Sequence, residues 1–312
     1  MRTAPYHALR ESAAWMDLSG RGVIRVTGED RARLLHAMTT NHIEQLEPGG
    51  GAYAFFLNAQ GRILADVNIL CLADALLLDT EPETASAVFE HLDRFIIADD
   101  ATLDNQTANT AVLAIEGPAV SGIASQLGIE HLPAPGGWVE WNTWVVARLS
   151  ASGGEGLRIF LPAPEKDRAI AWIAGLGVVE AGEPELRVVR LENAHPRFGI
   201  DFSSQQIPQE TQLLGAIHFA KGCYLGQEIV ERVRSRGHVN KKLVQLTVEA
   251  RQPPPAGAKV TSRDTEVGEI TSAAWSPALG KVVAFAYVRI AQAGADLRVG
   301  DAAAAMTARQ PA

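Results

Sequence analysis

The order of strand and helix signals along the chain constrains its fold more than any other sequence feature. Short apolar and β-branched runs predict four early strands, at residues 23–26, 53–57, 62–70 and 76–79. Helical spacing of apolar residues predicts a helix at 30–38, with Thr27 capping it and Asp30 at the reciprocal position, and another from Pro82 onward. The same order returns over residues 110–182. The sequence therefore predicts an α+β fold with two such units.

The chain changes character after residue 182. Residues 183–192 predict a helix, and 193–212 form a polar stretch whose length, in a compact domain, usually signals function. Prolines at 253–255 precede short β-prone runs separated by glycines, which predict a small C-terminal β-barrel. We therefore expect four segments, namely a first α+β unit at 1–109, a second at 110–182, a connecting segment at 183–240 and the barrel at 241–312.

Composition argues against several classes of protein. Hydrophobic residues make up 47% of the chain and occur in short runs, none long enough to span a bilayer. The first residues lack the apolar core of a secretory signal. Two cysteines, Cys71 and Cys223, do not suggest a disulfide framework, so we expect a cytoplasmic protein. A net charge of -8 disfavours non-specific nucleic-acid binding. The sequence has no Cys-x-x-Cys pair, His-x-x-x-His pair or glycine-rich phosphate loop, so neither a stable metal site nor a nucleotide site is expected.

The most reactive stretch is Lys221-Gly222-Cys223-Tyr224-Leu225-Gly226-Gln227-Glu228, which combines a thiol, an ammonium, an amide and a carboxylate. A neighbouring cation such as Lys221 makes a thiol more acidic, and Gly222 and Gly226 predict a shaped loop. A lone cysteine is more often a small buried hydrophobe. From residue types alone, Cys223 is therefore either a reactive thiol or a core residue.

This stretch resembles the signature Lys-Gly-Cys-Tyr-x-Gly-Gln-Glu of the YgfZ family of folate-binding proteins. These are relatives of the glycine-cleavage T-protein (aminomethyltransferase) and are associated with iron-sulfur cluster assembly. Similar stretches are Thr40-Asn41, residues 56–63 and the segment from Arg190-Leu191-Glu192 to Glu210. The resemblance implies an aminomethyltransferase-like folate-binding fold, with tetrahydrofolate or a derivative as the cofactor and no stably bound metal. It also implies that the 183–240 segment returns to the folate site.

Asp66 lies in an apolar predicted strand, where a carboxylate must be paired, solvated or neutral. From the residues alone it is either an aspartate with a local partner or a functional group. The resemblance implies the second, because Asp66 matches the T-protein's catalytic aspartate, which faces the reactive edge of tetrahydrofolate. The T-protein pattern has two consecutive aspartates there, whereas this chain has Ala65, which weighs against transferase chemistry more than against folate binding. Asp66 and Cys223 are the candidate catalytic residues.

Three acidic residues are candidates for binding the cofactor together with Asp66. A reduced pterin presents an amino group and a ring N–H side by side, and one carboxylate can accept both. Glu210 is favoured because it lies in the irregular stretch, whereas Glu192 is equally well explained as a helix residue paired with its neighbours. Asp201 is the third candidate.

Arg232, Arg234 and Arg236 alternate along the chain after the signature. If 229–236 is a strand, their three guanidinium groups share one face, and an anionic group is expected opposite them. That group is either acidic side chains of the protein, the glutamate tail of folate bound at Arg236 and its neighbours, or a phosphate on a partner. The basic run is extended by His238, Lys241 and Lys242.

Three functions remain open at this point. The first is a tetrahydrofolate-binding accessory protein that helps to assemble or repair iron-sulfur clusters in client enzymes, including tRNA-modifying enzymes. Folate would lie between the first two units, held by Asp66 and Glu210, with Cys223 exposed at the rim as a transient cluster ligand or a redox-reactive thiol. The second is a folate-dependent aminomethyl or other one-carbon transferase, in which Asp66 orients the folate amine. The third is a scaffold that binds RNA or protein through residues 232–242.

Overall fold

The structure is a computed structural model that describes residues 3–292 and 296–307. Its α-helices are α1 (Ala4–Glu11), α2 (Arg31–Met38), α3 (Ala85–Phe95), α4 (Val120–Gln126), α5 (Lys166–Gly175), α6 (Glu183–Glu192), α7 (Pro208–Thr211) and α8 (Gln227–Arg236). The first strands are β1 (Ala14–Asp17), β2 (Gly22–Thr27), β3 (Gly51–Leu57), β4 (Ile63–Cys71), β5 (Leu76–Thr80), β6 (Thr102–Asn105), β7 (Thr110–Glu116), β8 (Trp138–Trp141), β9 (Trp144–Ala147), β10 (Gly156–Pro162) and β11 (Val179–Glu180). The remaining strands are β12 (Lys242–Val248), β13 (Lys259–Ser262), β14 (Thr265–Ser276), β15 (Lys281–Val288), β16 (Leu297–Val299) and β17 (Ala302–Met306). None of the helices in these ranges has both the length and the apolar character that crossing a lipid bilayer requires.

A five-stranded antiparallel sheet in the order β3-β4-β5-β2-β6 forms the first layer. The predicted hairpin at its edge is confirmed, because β3 pairs with β4 across the turn at residues 58–61. Alternate residues of a strand face opposite sides, so Ala65, Val67 and Ile69 of β4 pack in the core that α2 and α3 complete. Asp66 therefore faces away from those helices.

A mixed six-stranded sheet in the order β11-β1-β7-β10-β9-β8 forms the second layer. Its core includes Leu113, Trp144 and Ile159, with residues of α4 and α5 packed against them. Strand β1 comes from the N-terminal part of the chain, yet it pairs antiparallel with β7 and parallel with β11. Four residues carry too little pattern to predict a strand, and the two neighbouring strands decide the position of β1.

The C-terminal strands form a closed barrel in the order β12-β15-β14-β13-β16-β17. Leu246, Val260 and Ala286 are among the residues that fill it. The predicted barrel is confirmed, and so is the α+β fold of which it is part.

An apolar core joins the first sheet, the segment after α6 and the barrel. It contains Phe55 of β3, Phe202 of the connecting segment and Phe285 of β15, and the rings of Phe55 and Phe202 lie 6.0 Å apart edge to face. A smaller core joins the two sheets through residues that include Val23 and Val112. The sheet face that carries Asp66 is thus covered by the second sheet, the connecting segment and the barrel.

One local prediction is wrong, and one open alternative is decided. Residues 227–236 form helix α8, so the strand considered for 229–236 does not form, and Gly226, with a φ of +83°, turns the chain into the helix. Thr27 does not cap α2, because it is the last residue of β2. Asp30 is the N-cap but makes no capping hydrogen bond, since its carboxylate accepts the backbone N–H of Asp100 at 2.9 Å and pairs with Arg33.

Candidate functional site

Asp66 is half-buried in the middle of β4. The hydroxyl of Tyr53, on β3, donates to Asp66 Oδ2 at 2.9 Å. Asp66 Oδ1 is buried and has no hydrogen-bond partner among the described residues. Burial, reinforced by the charge of Glu81, raises the pKa of Asp66 to about 7. The carboxyl can therefore gain or lose a proton near neutral pH, and one of its oxygens makes no hydrogen bond within the described residues.

Tyr53 is absent from the predicted site, although the register of the hairpin identifies it. Phe55 stands opposite Asp66 and Tyr53 stands opposite Asn68. Residues two positions apart on a strand share a face, and diagonal neighbours across a strand pair lie within reach of a long side chain. A tyrosine two residues before the partner of a candidate aspartate is therefore a signal that the sequence does contain.

Glu81 is fixed by two arginines. Arg21 Nη1 donates to one carboxylate oxygen at 2.6 Å and Arg197 Nε to the other at 2.8 Å. Burial opposes ionisation, but these two cations prevail and lower the pKa of Glu81 to about 2. Glu81 therefore supplies a permanent negative charge that favours the protonated form of Asp66.

Asp79 extends these contacts to the second sheet. Its carboxylate is fully buried and accepts from Arg21 Nε at 2.5 Å, from Asn68 Nδ2 at 2.9 Å and from Arg158 of β10. The sequence reveals no such cluster, because its members come from distant strands. The buried charges next to Asp66 thus join the two sheets.

Asp201 has partners on both of its oxygens. Oδ2 accepts from Arg190 Nη1 at 2.5 Å and from the backbone N–H of Arg197 at 2.9 Å. Oδ1 accepts from the hydroxyls of Thr271, at 3.1 Å, and Ser272. These contacts attach the connecting segment to the barrel and give Asp201 a structural role.

Glu192 lies away from Asp66, at the junction of α1, α6 and the barrel. Its carboxylate accepts from the hydroxyls of Tyr6, at 2.7 Å, and Ser276, at 2.5 Å, and it pairs with Arg10. Glu192 also lines a cavity of about 590 Å³. These are the contacts expected if Glu192 is a helix residue paired with its neighbours, which is the alternative to pterin binding.

Glu210 lies in the short helix α7. Its Oε2 accepts the backbone N–H of Ile207 at 3.1 Å and lies 3.9 Å from Arg62 Nη1, while Oε1 has no hydrogen-bond partner in the described ranges. Burial raises the pKa of the Tyr287 hydroxyl, and the nearby charge of Glu210 raises it further. Glu210 therefore keeps one oxygen available, as Asp66 does.

A second cavity, of about 400 Å³, lies between residues 199–206 and the barrel. Neither cavity is lined by Asp66, Glu210 or Cys223. No hydrogen bond or ion pair joins Asp66 to Glu210 in the part of the chain that the structure describes. A shared folate pocket between these two carboxylates stays a prediction.

The signature forms a loop up to Gly226, and its last two residues, Gln227 and Glu228, begin α8. Cys223 is exposed, whereas the other cysteine, Cys71, is buried. Lys221 is 6% exposed, and its ammonium donates to backbone carbonyl oxygens of the last turn of α2 and of the chain that follows it. Burial lowers the pKa of Lys221 to about 7. No group of three or more His, Cys, Asp or Glu side chains within 3–292 and 296–307 is arranged to hold a metal ion.

The arginines after the signature do not form one row. Arg232 and Arg234 are exposed on α8, where two positions apart means about 200° around the axis. Arg234 instead lies over the ring of Phe219, 4.8 Å from its centroid, and donates to the carbonyl oxygen of that residue at 2.9 Å. Arg232 and Arg234 therefore do not share the face that a strand would have given them. The side chain of Arg236 lies outside the described part.

Two family models match the chain, the GCVT N-terminal domain over residues 2–221 and the glycine cleavage T-protein C-terminal barrel domain over residues 241–310. An aminomethyltransferase of Streptomyces coelicolor is 30% identical over 304 residues, which cover 92% of this chain and 81% of that protein. A chloroplastic putative transferase of Arabidopsis thaliana is 27% identical over 264 residues, which cover 82% of this chain and 61% of that protein. The crystal structure of the glycine cleavage system aminomethyltransferase T from Bartonella henselae superposes with a TM-score of 0.87 at 22% identity, covering 98% of this chain and 88% of that one. The narrower resemblance to YgfZ proteins stays a prediction. The chain belongs to the glycine cleavage T-protein family.

Proposed function

We propose that the protein binds a reduced folate, with Asp66 at the reactive edge of the pterin. The observation that supports this most directly is the buried, unpartnered Oδ1 of Asp66. A buried polar atom without a partner destabilises the protein, and an N–H group of a ligand would supply the missing hydrogen bond. Tetrahydrofolate carries such groups along one edge. The residues present therefore fit this ligand.

Glu210 is the proposed second contact. It uses Oε2 for the N–H of Ile207 and keeps Oε1 for a ligand. Glu192 and Asp201 are left out of the proposal, because their carboxylates already accept hydrogen bonds from neighbouring side chains. Arg236 is proposed as a contact for the glutamate tail on the resemblance alone.

The activity that we propose for this site is folate-dependent one-carbon transfer. The names of the relatives support it, and so does the pKa of Asp66 at about 7, which suits a group that exchanges a proton with a folate amine at neutral pH. Ala65 does not weigh against it. Ala65 is fully buried in the core on the helix side of the first sheet, so an aspartate there would not reach the face that carries Asp66.

Calorimetric titration with tetrahydrofolate tests the binding. We expect saturable binding that Asp66→Asn and Glu210→Gln each weaken at least about tenfold, the effect of losing one charge-assisted hydrogen bond. Asp74→Asn is the matched control, since Asp74 is an exposed partner of Arg25 on the same sheet. The absence of binding by the wild-type protein would refute the proposal. Turnover with an aminomethyl-lipoyl carrier protein or methylamine as donor then tests the transfer.

The second candidate function is the accessory role in assembling iron-sulfur clusters in client enzymes, including those that modify tRNA. The observation that favours it is the exposure of Cys223, which no contact with Asp66 explains. The test replaces Cys223 with Ala or Ser in cells that lack the native gene. Loss of client-enzyme activity is expected if the thiol takes part, and unchanged activity would remove it from the mechanism.

A further inference from the structure

Lys221 makes an unusual set of contacts for a lysine. Its Nζ donates to the carbonyl oxygens of Thr39 and Asn41, both at 2.7 Å, and to that of His36. An ammonium has three protons, and all three are used. Among the described residues no carboxylate lies within ion-pair distance of it. The charge instead meets the carbonyl groups at the C-terminal end of α2, where a helix dipole favours a cation.

These bonds hold the signature loop against α2. The backbone N–H of Leu225, two residues after Cys223, donates to the carbonyl oxygen of Ala37 at 3.0 Å. The backbone N–H of His218, before the signature, donates to the carbonyl oxygen of Thr40 at 2.9 Å. The chain on both sides of Cys223 is therefore hydrogen-bonded to residues 36–41, the segment whose carbonyl oxygens accept from Lys221.

The same segment continues to Asp66. The side-chain amide of Asn41 donates to the carbonyl oxygen of Tyr53 at 2.9 Å, and the hydroxyl of Tyr53 donates to Asp66. Three hydrogen bonds, joined through the covalent structure of Asn41 and Tyr53, thus lead from Lys221 to the carboxyl of Asp66. The first of them joins residues 180 positions apart in the sequence.

We propose that Lys221 is a positioning residue for Cys223, and that it couples the exposure of that thiol to occupancy of the Asp66 site. Removing Lys221 would release the loop from α2. A ligand on Asp66 would act on Cys223 through Tyr53, Asn41 and Lys221. The ligand part rests on the proposed folate binding, whereas the positioning part does not.

Hydrogen exchange of the ligand-free protein tests the positioning. In Lys221→Met, a side chain of similar length without a donor, we expect the amides of Leu225 and His218 to lose about tenfold in protection. Lys221→Arg should restore part of it, and Lys281→Met, which removes a lysine paired on the exposed surface of the barrel, should change neither amide. Unchanged protection in Lys221→Met would overturn the positioning role.

The pH dependence of Cys223 modification separates positioning from activation of the thiol. The modified Cys223 peptide is measured by mass spectrometry, which distinguishes it from the peptide of the buried Cys71. A positioning role predicts that the thiol ionises at the same pH in Lys221→Met and the wild type, and that any further change in rate near pH 7, where Lys221 itself loses a proton, occurs in the wild type alone. A shift of the pH at which the thiol ionises would mean that Lys221 acts on the thiol directly and would overturn the proposal.

The coupling is tested by repeating the modification with tetrahydrofolate. We expect the ligand to change the wild-type rate about fivefold or more. The response should vanish in Lys221→Met and in Asn41→Ala, which breaks the bond to Tyr53 but keeps the carbonyl that Lys221 binds. A rate that ignores bound folate in the wild type, or a response retained in both variants, would refute the coupling. If the wild type binds no folate, the proposed function fails, and the exchange experiment still decides the positioning.

Discussion

Tyr53 binds only one of the two oxygens of Asp66, at 2.9 Å, and leaves the other buried without a partner among the described residues. This bond stabilises the carboxylate form and lowers the pKa of Asp66 against the larger opposite effect of burial. The Tyr53→Phe variant should therefore raise the pKa of Asp66 by about one unit, the value of one charge-assisted hydrogen bond. Titration of a ¹³C-labelled Asp66 carboxyl measures this.

The control for that experiment is Tyr287→Phe. The hydroxyl of Tyr287 is buried and makes no described hydrogen bond, so its loss should leave the titration of Asp66 unchanged. If Tyr53→Phe lowered the pKa of Asp66, or left it the same, the hydroxyl would not be the group that stabilises the carboxylate.

Asp66 should make the ligand-free protein less stable as the pH rises. Its pKa is raised from 3.8 to about 7 in the folded state, so its contribution is fully present below pH 4 and is lost as the pH rises through 7. Asp66→Asn removes this loss. At pH 8 its unfolding free energy, measured by urea denaturation, should exceed that of the wild type by about 1–3 kcal/mol. At pH 5 the difference should shrink. A variant less stable than the wild type at pH 8 would contradict the assignment.

Asp79 should be one of the most sensitive positions for stability. Its buried carboxylate pairs with both Arg21 and Arg158, so Asp79→Ala leaves two arginines buried without their shared partner. We expect a loss of about 3–5 kcal/mol in unfolding free energy, measured by urea denaturation. The exposed pair of Asp74 with Arg25 provides the comparison, and Asp74→Ala should leave the urea midpoint close to that of the wild type. Equal losses in the two variants would mean that Asp79 adds nothing beyond a surface pair.

The elements that the sequence predicts well are those with a strong local pattern. The hairpin of β3 and β4, the helix at Glu183–Glu192 and the barrel all have apolar periods or turn residues that fix them locally. Strand β1 depends on two neighbours distant in the chain, and α8 depends on a preceding glycine in the left-handed region. Alternate arginines alone did not distinguish that helix from a strand.

The residues of the site also divide into those that the sequence identifies and those that depend on distant parts of the chain. Residue types alone leave the exposure of Cys223 open, and the resemblance predicts it. Asp66 is identified from its residue type, its surroundings and the resemblance. The partners of Lys221 were not predictable, because they are carbonyl oxygens about 180 residues earlier in the chain. A sequence identifies a reactive residue more readily than the backbone atoms that position it.

Gly226 should be irreplaceable where the signature loop meets the hairpin that carries Asp66. Its φ is +83°, and an added Cβ would lie 2.6 Å from the carbonyl oxygen of Asn58 in the hairpin turn. Gly226→Ala therefore combines a left-handed conformation with a backbone clash, and should lower the unfolding free energy by about 2–4 kcal/mol. Gly215→Ala is the matched control, since an added Cβ there meets nothing within 4 Å. Urea denaturation compares the two, and a Gly226→Ala variant as stable as the control would show that the loop shifts without cost and that its contact with the hairpin is not tight.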